Sequence, residues 1–442
     1  MDEALDWSDC LTHVEASDIG MRRSNNQDSY AVLLASDPDS WRRRGHVFVV
    51  ADGMGAHAAG ELASKMAADG IPHSYYKLRE ESPPDAIRKS IREANEQINR
   101  RGQANPEFKG MGTTTDVLVI LPQGALIAHV GDSRVYRLRG TRLEQLTFDH
   151  SLVWEMTASG QFADGAAVNM VPKNIITRSL GPHPHVQVDL EGPYPIELGD
   201  TFLLCTDGLS GLVKDEEIGA ILGVLPPAEA AQVLIDLANL RGGPDNITVI
   251  IARASGPAIT WQGMGPVEPL ALADERAQRA ATQQGPSKKF WAVAAVAVAA
   301  TIGLMIFSIW VAWLPAAMVA GALITWGILQ RFAPPPEPRY LAPGARLGRG
   351  PYAACDCPPN EAMVTNLGLL IDQLREAASD GRWSVNWAKF DAFTQQGKLA
   401  ADRRDYAQAV REFARAQRFM MNELRSQGRV RKGADAGEDV LN

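Results

Sequence analysis

Short apolar runs alternate with polar turns through the first 254 residues of the chain. The runs that predict β-strands are His46–Ala51, Thr114–Leu121, Ala125–Val130, Arg134–Arg139, Thr201–Cys205 and Asn246–Ala252. Apolar residues at helical spacing predict helices over Ala58–Asp69, Pro84–Arg101 and Pro227–Leu240. Because the strands are grouped between helices, the pattern favours packed antiparallel sheets over a βαβ sheet, and therefore an α+β fold.

A different pattern follows at Phe290–Leu329, which contains no charged residue. One helix of this length would be about 60 Å long, twice the roughly 30 Å hydrocarbon core of a bilayer. We therefore expect a transmembrane segment over residues 290–330, with two passes joined near Trp313-Leu314-Pro315. One tilted span with an interfacial segment is the main alternative, and a soluble buried hairpin is another.

The flanking charges predict an orientation for this segment. Lys288 and Lys289 precede it and Arg331 and Arg339 follow it, so the positive-inside rule places both ends in the cytoplasm. The acidic start of the chain, Met1–Asp6, lacks the apolar core of a signal peptide. We therefore expect an integral membrane protein, in contact with membrane lipid, whose N-terminal domain and C-terminal region both face the cytoplasm.

The remaining segments are predicted linkers and helices. Residues 255–289 are expected to be a linker, and the Pro-rich residues 331–359 an extended spacer. Helical periodicity covers Glu361–Ser379 and Trp387–Arg425 within a C-terminal region at 360–428.

The second of these helical stretches carries a weak repeat motif. The positions that match one tetratricopeptide-type helix pair are Phe393, Gly397, Ala409, Phe413 and Ala416. Such a pair cannot bury its own face, so either a partner protein or the Glu361 helix is expected to cover it. An ordinary helical hairpin is the alternative. The arginines at 403–432 are expected to form a solvated face, or one attracted to anionic lipid.

Charge and cysteine content narrow the function. The net charge of −8 gives no general basic surface for nucleic acid. The four cysteines fit a reducing compartment and form no disulfide framework. Cys355 and Cys357 could bind a soft metal ion, but zinc sites usually need a second such pair.

Four aspartates, each following a strand-like run and standing beside glycine or asparagine, suggest the chemistry. They are Asp52, Asp132, Asp207 and Asp245. Strands that end in such turns can bring carboxylates to one edge of a core, where they repel one another unless a cation neutralises them. Mg²⁺ and Mn²⁺ prefer oxygen ligands of this kind. The set predicts a metal-dependent enzyme, although each Asp-Gly alone is typical of a tight turn.

The order and spacing of several motifs resemble a known family. The motifs are Asp18–Asp28, Asp52-Gly53-Met54-Gly55, Gly112-Thr113-Thr114, Gly131-Asp132-Ser133-Arg134, Thr177–Gly181, Thr206-Asp207-Gly208 and Asp245-Asn246-Ile247-Thr248. Over residues 8–254 the chain resembles the PP2C-type (PPM) serine/threonine protein phosphatases, especially their bacterial branch. The resemblance implies an α/β/β/α sandwich of two antiparallel sheets. It also implies hydrolysis of phosphoserine and phosphothreonine in phosphoproteins by water activated at a centre of two Mg²⁺ or Mn²⁺ ions.

The same resemblance implies a role for individual residues. Asp52 would bridge the two ions and Gly53 would offer its carbonyl to the second, while Asp207 and Asp245 would bind the first. Asp132 would be either a ligand of a third ion or the cap of a strand turn. Arg23 would hold the substrate phosphate, as a guanidinium can bind two phosphate oxygens.

The surrounding residues are assigned more loosely. Gln27, Asp28 and Asn246 are expected to support the ligands, Asp28 either in that way or in a purely structural one. Met54 stands where animal members carry a proposed acid histidine, so the general acid is unassigned, and His57 is expected to order the metal loop. Residues 150–181 resemble a flap beside the site. A catalytically silent, membrane-tethered scaffold that binds phosphoproteins is the alternative function.

Overall fold

The computed structural model describes two compact units, residues 1–268 with 344–442, and residues 269–343. The described residues are 10–56, 58–159, 175–256, 270–272, 295–299, 301–302, 317–319, 321–322, 325, 339–341, 344–381 and 383–438, with only the backbone for 271–272, 339 and 428–438.

Two antiparallel sheets form the centre of the first unit. The first sheet has the order β1 (Leu11–Asp18), β11 (Ile247–Ala254), β10 (Thr201–Cys205), β7 (Arg134–Arg139), β8 (Arg142–Gln145) and β14 (Ala353–Asp356). The second has the order β2 (Asp28–Leu33), β3 (His46–Met54), β5 (Thr115–Leu121), β6 (Gly124–Val130) and β9 (Asp189–Tyr194), and the short β4 (Gly112–Thr113) pairs with β3.

Alternating side chains build the core between these sheets. Phe48 and Val50 of β3 pack in one buried cluster with Leu204 of β10 and Ile250 of β11. Leu203, the residue before Leu204 on β10, belongs instead to a second cluster, which lies under the helices on the outer face of the sheet. This period-two alternation is what two half-covered sheets require, and it agrees with the predicted sandwich.

Helices cover both outer faces. They are α1 (Pro38–Arg44), α2 (Ala59–Lys77), α3 (Pro83–Ala104), α4 (Leu152–Ala158), α5 (Asp207–Ser210), α6 (Asp215–Val224) and α7 (Pro227–Leu240). Helix α2 packs on β2 and β3, whereas α7 packs on β1 and β11 of the other sheet. The expected arrangement of two antiparallel sheets flanked by helices is therefore confirmed.

The C-terminal region adds a further layer to this unit. Its helices are α8 (Glu361–Asp380), α9 (Trp387–Asp402) and α10 (Tyr406–Glu438). Helix α10 packs on α6 and α7, and α8 packs on both α9 and α10. Because α8 covers the α9–α10 pair, no partner protein is needed for that purpose.

Part of the expected Pro-rich spacer also belongs to the sandwich. Residues 353–356 form β14, which pairs with β8 at the edge of the first sheet. The backbone nitrogens of Arg349 and Gly350 donate hydrogen bonds to the buried carboxylate of Glu191, at 3.2 and 3.0 Å. Residues 344–359 therefore differ from the extended spacer that their proline content predicted, because β8 and Glu191 offer them partners.

The second unit contains the predicted membrane segment, most of which lies outside the described residues. Within it, Ala271 and Leu272 of β12 pair with Tyr340 and Arg339 of β13. A search of the described residues found no helix with both the length and the apolar character needed to cross a bilayer.

Candidate active site

Strands β2 and β3 bring two aspartates to the same end of the second sheet. Asp28, the first residue of β2, is the register partner of Asp52 near the end of β3. The Oδ2 atom of Asp28 accepts a hydrogen bond from Thr206 Oγ1 at 2.9 Å. Because Thr206 directly follows β10 of the first sheet, this bond joins the two sheets beside the carboxylates.

Glycines allow the backbone to approach closely around this end of the sandwich. A Cβ atom on Gly53 would lie 2.2 Å from the carbonyl oxygen of Gly60, and one on Gly208 would lie 1.9 Å from that of Asn246. Both distances are far below van der Waals contact. Packing alone therefore requires glycine at position 53, in addition to the expected use of its carbonyl.

The predicted phosphate-binding arginine lies beside a predicted metal ligand. Asp245 stands in the loop between α7 and β11, and its Oδ2 accepts a hydrogen bond from Arg23 Nη2 at 2.7 Å. Arg23 Nε also donates to the carbonyl oxygen of Pro244 at 3.2 Å. Since 48% of the Arg23 side chain is exposed, the guanidinium remains accessible to a ligand.

The carboxylates at this end of the molecule repel one another. Burial, followed by the charges of Asp28 and Asp207, raises the pKa of Asp52 well above its ordinary value. Burial raises the pKa of Asp28 to about 7. Burial and the charge of Asp245 raise the pKa of Asp207, while a hydrogen bond with Asp52 lowers it. Such a cluster favours the uptake of protons or of cations.

Asp132 extends this cluster from the end of β6. It is 7% exposed and follows Gly131, whose φ of +128° carries the chain out of the strand. Burial, followed by the charge of Asp207, raises the pKa of Asp132 to about 7. Asp132 is thus close enough to the other aspartates for their charges to interact.

The unpaired oxygens of this cluster fit divalent cations. Asp28 Oδ1, Asp132 Oδ1 and Asp207 Oδ1 are buried and accept no hydrogen bond from the described residues. A buried carboxylate oxygen without a donor is costly unless a cation binds it, and hard oxygen donors suit Mg²⁺ and Mn²⁺. Among the described residues, no three His, Cys, Asp or Glu side chains come together closely enough to hold one metal ion between them. Ions bound here would therefore need water and a backbone carbonyl among their ligands.

Asn246 joins the loops beside this cluster. Asn246 Oδ1 accepts a hydrogen bond from the backbone nitrogen of Gln27 at 2.8 Å. Its Nδ2 donates to the carbonyl oxygens of Ile19 and Asn25, at 2.9 and 3.0 Å. Asn246 therefore links two loops: the one between β1 and β2, which carries Arg23 and is called the Arg23 loop, and the one between α7 and β11, which carries Asp245.

Sequence reasoning missed a buried histidine pair next to Asp132. His129 Nδ1 lies 2.7 Å from Asp116 Oδ1, and its ring stacks on that of His150 at 4.6 Å. His150 donates its backbone N–H to the carbonyl oxygen of Gly131 and accepts the Gly131 N–H on Nδ1. Asp116 and His129 are register partners on β5 and β6, so only the strand pairing reveals them. His57 and residues 160–174 of the expected flap lie outside the described residues.

Comparison with known proteins identifies the family of this chain. The family profile described as protein phosphatase 2C matches residues 21–236. The serine/threonine phosphatase stp of Listeria welshimeri is 38% identical over 242 residues, which are 54% of this chain and 93% of the relative. The chain therefore belongs to the protein phosphatase 2C family of serine/threonine protein phosphatases.

Solved structures were also found. The Mycobacterium tuberculosis serine/threonine phosphatase PstP/Ppp is 34% identical, with a TM-score of 0.48, covering 56% of this chain and 99% of that one. A structure of the catalytic domain of PstP is described as a complex with two manganese ions, at 34% identity and a TM-score of 0.47, with the same coverage.

Proposed function

We propose that this protein hydrolyses phosphoserine and phosphothreonine esters at a centre of two Mg²⁺ or Mn²⁺ ions. The observation that carries the proposal is the buried cluster around Asp52 and Asp207, in which burial and neighbouring carboxylates raise the pKa of both residues. The cluster also includes oxygens that accept no hydrogen bond from the described residues. Asp52, Gly53, Asp207 and Asp245 would hold the two ions, and Asp132 a third. When bound, such ions lower the pKa of a water molecule and screen the phosphate oxygens.

The protein's own groups bind and orient the substrate. Arg23 presents a half-exposed guanidinium at the edge of the carboxylate cluster, where it can bind two phosphate oxygens. Its present partner, Asp245, competes for the same donors. A ligand that engages the Asp245 carboxylate would free those donors for the phosphate. The Asn246 bonds to Ile19 and Asn25 keep the Arg23 loop in place meanwhile.

The test compares the full-length chain with Asp52→Asn and Asp207→Asn. Manganese-dependent hydrolysis of an aryl phosphate and of a phosphothreonine peptide should fall by more than ~100-fold in both variants. Asp39→Asn is the matched control, because Asp39 is an exposed carboxylate that pairs with Arg43 on α1. Bound manganese should be counted in the same samples. Full activity in the two site variants would overturn the metal assignment.

The same experiment distinguishes an active phosphatase from a catalytically silent scaffold. A wild-type chain with bound manganese and phosphopeptide, yet without hydrolysis, would favour a silent binding module. The carboxylate cluster argues for the enzyme, because binding alone does not require several acids that repel one another.

We further propose that residues 290–330 attach the protein to a membrane, with both flanks in the cytoplasm. The uncharged sequence supports this, as do exposed apolar side chains at described positions in the segment, where Val296 is 68% and Met318 is 70% exposed. Single cysteines from Lys289→Cys and Arg339→Cys should both be protected from an impermeant reagent in intact cells. Labelling of one but not the other would indicate a single pass.

A further inference from the structure

Helix α10 contacts the phosphatase sandwich through arginine and glutamine side chains as well as through buried apolar residues. Arg411 donates to the carbonyl oxygen of Val224, the last residue of α6, at 3.2 and 3.3 Å. Arg415 pairs with Glu229 at 3.4 Å, and Gln417 donates to the carbonyl oxygen of Val233 at 3.2 Å. These arginines are therefore used within the chain, whereas the sequence predicted a solvated or lipid-facing surface for them.

Arg425 of α10 forms an ion pair with a buried carboxylate. Its Nη2 lies 2.7 Å from Oδ1 of Asp236, a residue of α7 that is fully buried. A buried carboxylate without a cation nearby is strongly destabilising. Arg425 thus offsets part of the cost of burying the charge of Asp236 where α10 packs on α7.

The same nitrogen of Arg425 also reaches the end of β1. Nη2 lies 3.4 Å from Oδ2 of Asp18. The other oxygen of Asp18 accepts hydrogen bonds from the backbone nitrogen of Gly20 at 2.9 Å and from Asn239 Nδ2 at 3.0 Å. Asp18 is therefore held between the C-terminal helix and the loop that follows β1.

That loop leads directly to the phosphate-binding arginine. A Cβ atom on Gly20 would lie 2.1 Å from the carbonyl oxygen of Asp245, so the two loops are in close contact. The backbone nitrogens of Met21 and Arg22 donate to the carbonyl oxygen of Gly243, at 2.8 and 3.2 Å. Because Asp18 and Arg23 are only a few residues apart in the chain, a shift of Asp18 would also move Arg23.

We infer that Arg425 is a positioning residue for phosphate binding: by holding Asp18, it fixes the loop that presents Arg23 to the substrate. Helix α10 then supports the loop that carries Arg23, although this helix lies outside the region matched by the family profile. The inference rests on the proposed role of Arg23 and adds a residue about 400 positions away in the sequence.

The test uses the full-length chain and separates KM from kcat. With a phosphothreonine peptide, Arg425→Gln should raise KM by ~10-fold and change kcat less, because it displaces a binding group and leaves the carboxylate cluster intact. Arg425→Lys should recover part of the loss. Arg415→Gln is the matched control, since it removes an arginine of the same helix that pairs with Glu229 and Glu412 instead of Asp18, and KM should be unchanged.

A double variant separates positioning from simple charge compensation. Arg425→Gln with Asp236→Asn removes the uncompensated buried charge, so the fold should recover while the contact to Asp18 stays lost. KM should remain raised in this variant. A return of KM to the wild-type value would overturn the inference.

Arg23→Ala distinguishes this inference from the proposed role of Arg23. If Arg23→Ala leaves KM unchanged, the assignment of Arg23 fails. If Arg23→Ala raises KM and Arg425→Gln does not, only the role of Arg425 fails.

Discussion

Arg23 and Asp245 illustrate what sequence could and could not show at the scale of single residues. Their positions at one site could be expected from the motifs around them. Their ion pair could not, because the two residues are 222 positions apart and the pairing depends on how two loops pack. The same holds for Asp116 and His129, which meet only through strand register.

Gly53 gives a prediction about close packing. Gly53→Ala should lower the free energy of unfolding by about 2 kcal/mol or more, because the new methyl group would overlap the carbonyl oxygen of Gly60. Gly70→Ala is the control, since a Cβ there meets nothing within 4 Å in the middle of α2, and it should stabilise by about 0.5–1 kcal/mol. Denaturant unfolding measures both. Equal effects would contradict the packing argument.

Asp132 gives a prediction about pH. Its pKa is about 7 in the folded chain and 3.8 ordinarily, so between these values the folded state binds a proton that the unfolded state does not. The stability of the metal-free protein therefore falls as the pH rises through this window. Above pH 7, the folded state carries the full destabilisation caused by the ionised Asp132. In the presence of chelator, Asp132→Asn should raise the unfolding free energy by about 2 kcal/mol at pH 8 and by less at pH 5.

The same variant tests metal binding by Asp132. In saturating manganese, the wild type should gain more thermal stability than Asp132→Asn, because binding to the folded state is stabilising. A difference between the two proteins that does not depend on pH or on manganese would show that Asp132 only caps the turn.

At the scale of elements, strands with a regular apolar pattern were predicted, and strands without one were missed. β3, β5, β6, β7 and β10 were expected within a few residues of their observed bounds. β14 was missed because Ala353–Asp356 has no strand pattern of its own and depends on pairing with β8. β2 was missed because it begins with polar residues, among them the buried Asp28.

The helix pair α9–α10 gives a prediction about how helices approach. A Cβ atom on Gly397 would lie 2.6 Å from the ring of Phe413, so Gly397→Ala should force the two helices apart and cost about 1–3 kcal/mol. At Gly368 of α8 a Cβ would lie 3.8 Å from the same ring, which is ordinary contact. Gly368→Ala should therefore be neutral or stabilising in a thermal unfolding experiment. A larger loss of stability in Gly368→Ala than in Gly397→Ala would show that α9 and α10 do not pack at Gly397.

At the scale of the whole molecule, the C-terminal helices complete a shared core. Met363 and Ile371 of α8 and Phe413 of α10 are buried in one cluster with Ile218 of α6 and Leu234 of α7. The sequence predicted these helices, but their site of attachment could not be read from it, because amphipathic helices do not specify which surface covers them.

Truncation should reveal this dependence. A chain that ends at Gly256 should unfold ~5–10 °C below the full chain and bind a hydrophobic dye, because the outer faces of α6 and α7 would be exposed to water. A chain that ends at Gln427 keeps the described contacts of α10 and should match the full-length protein. Equal stability of the two truncated chains would contradict a shared core.

The short pairing of β12 with β13 limits how the segment between them can meet a bilayer. Leu272 and Arg339 are backbone neighbours, so the chain leaves and returns at one place. A path that starts and ends on the same side of a membrane crosses it an even number of times. While β12 and β13 remain paired, the uncharged segment can cross the membrane twice or not at all. A single crossing would require the two strands to separate.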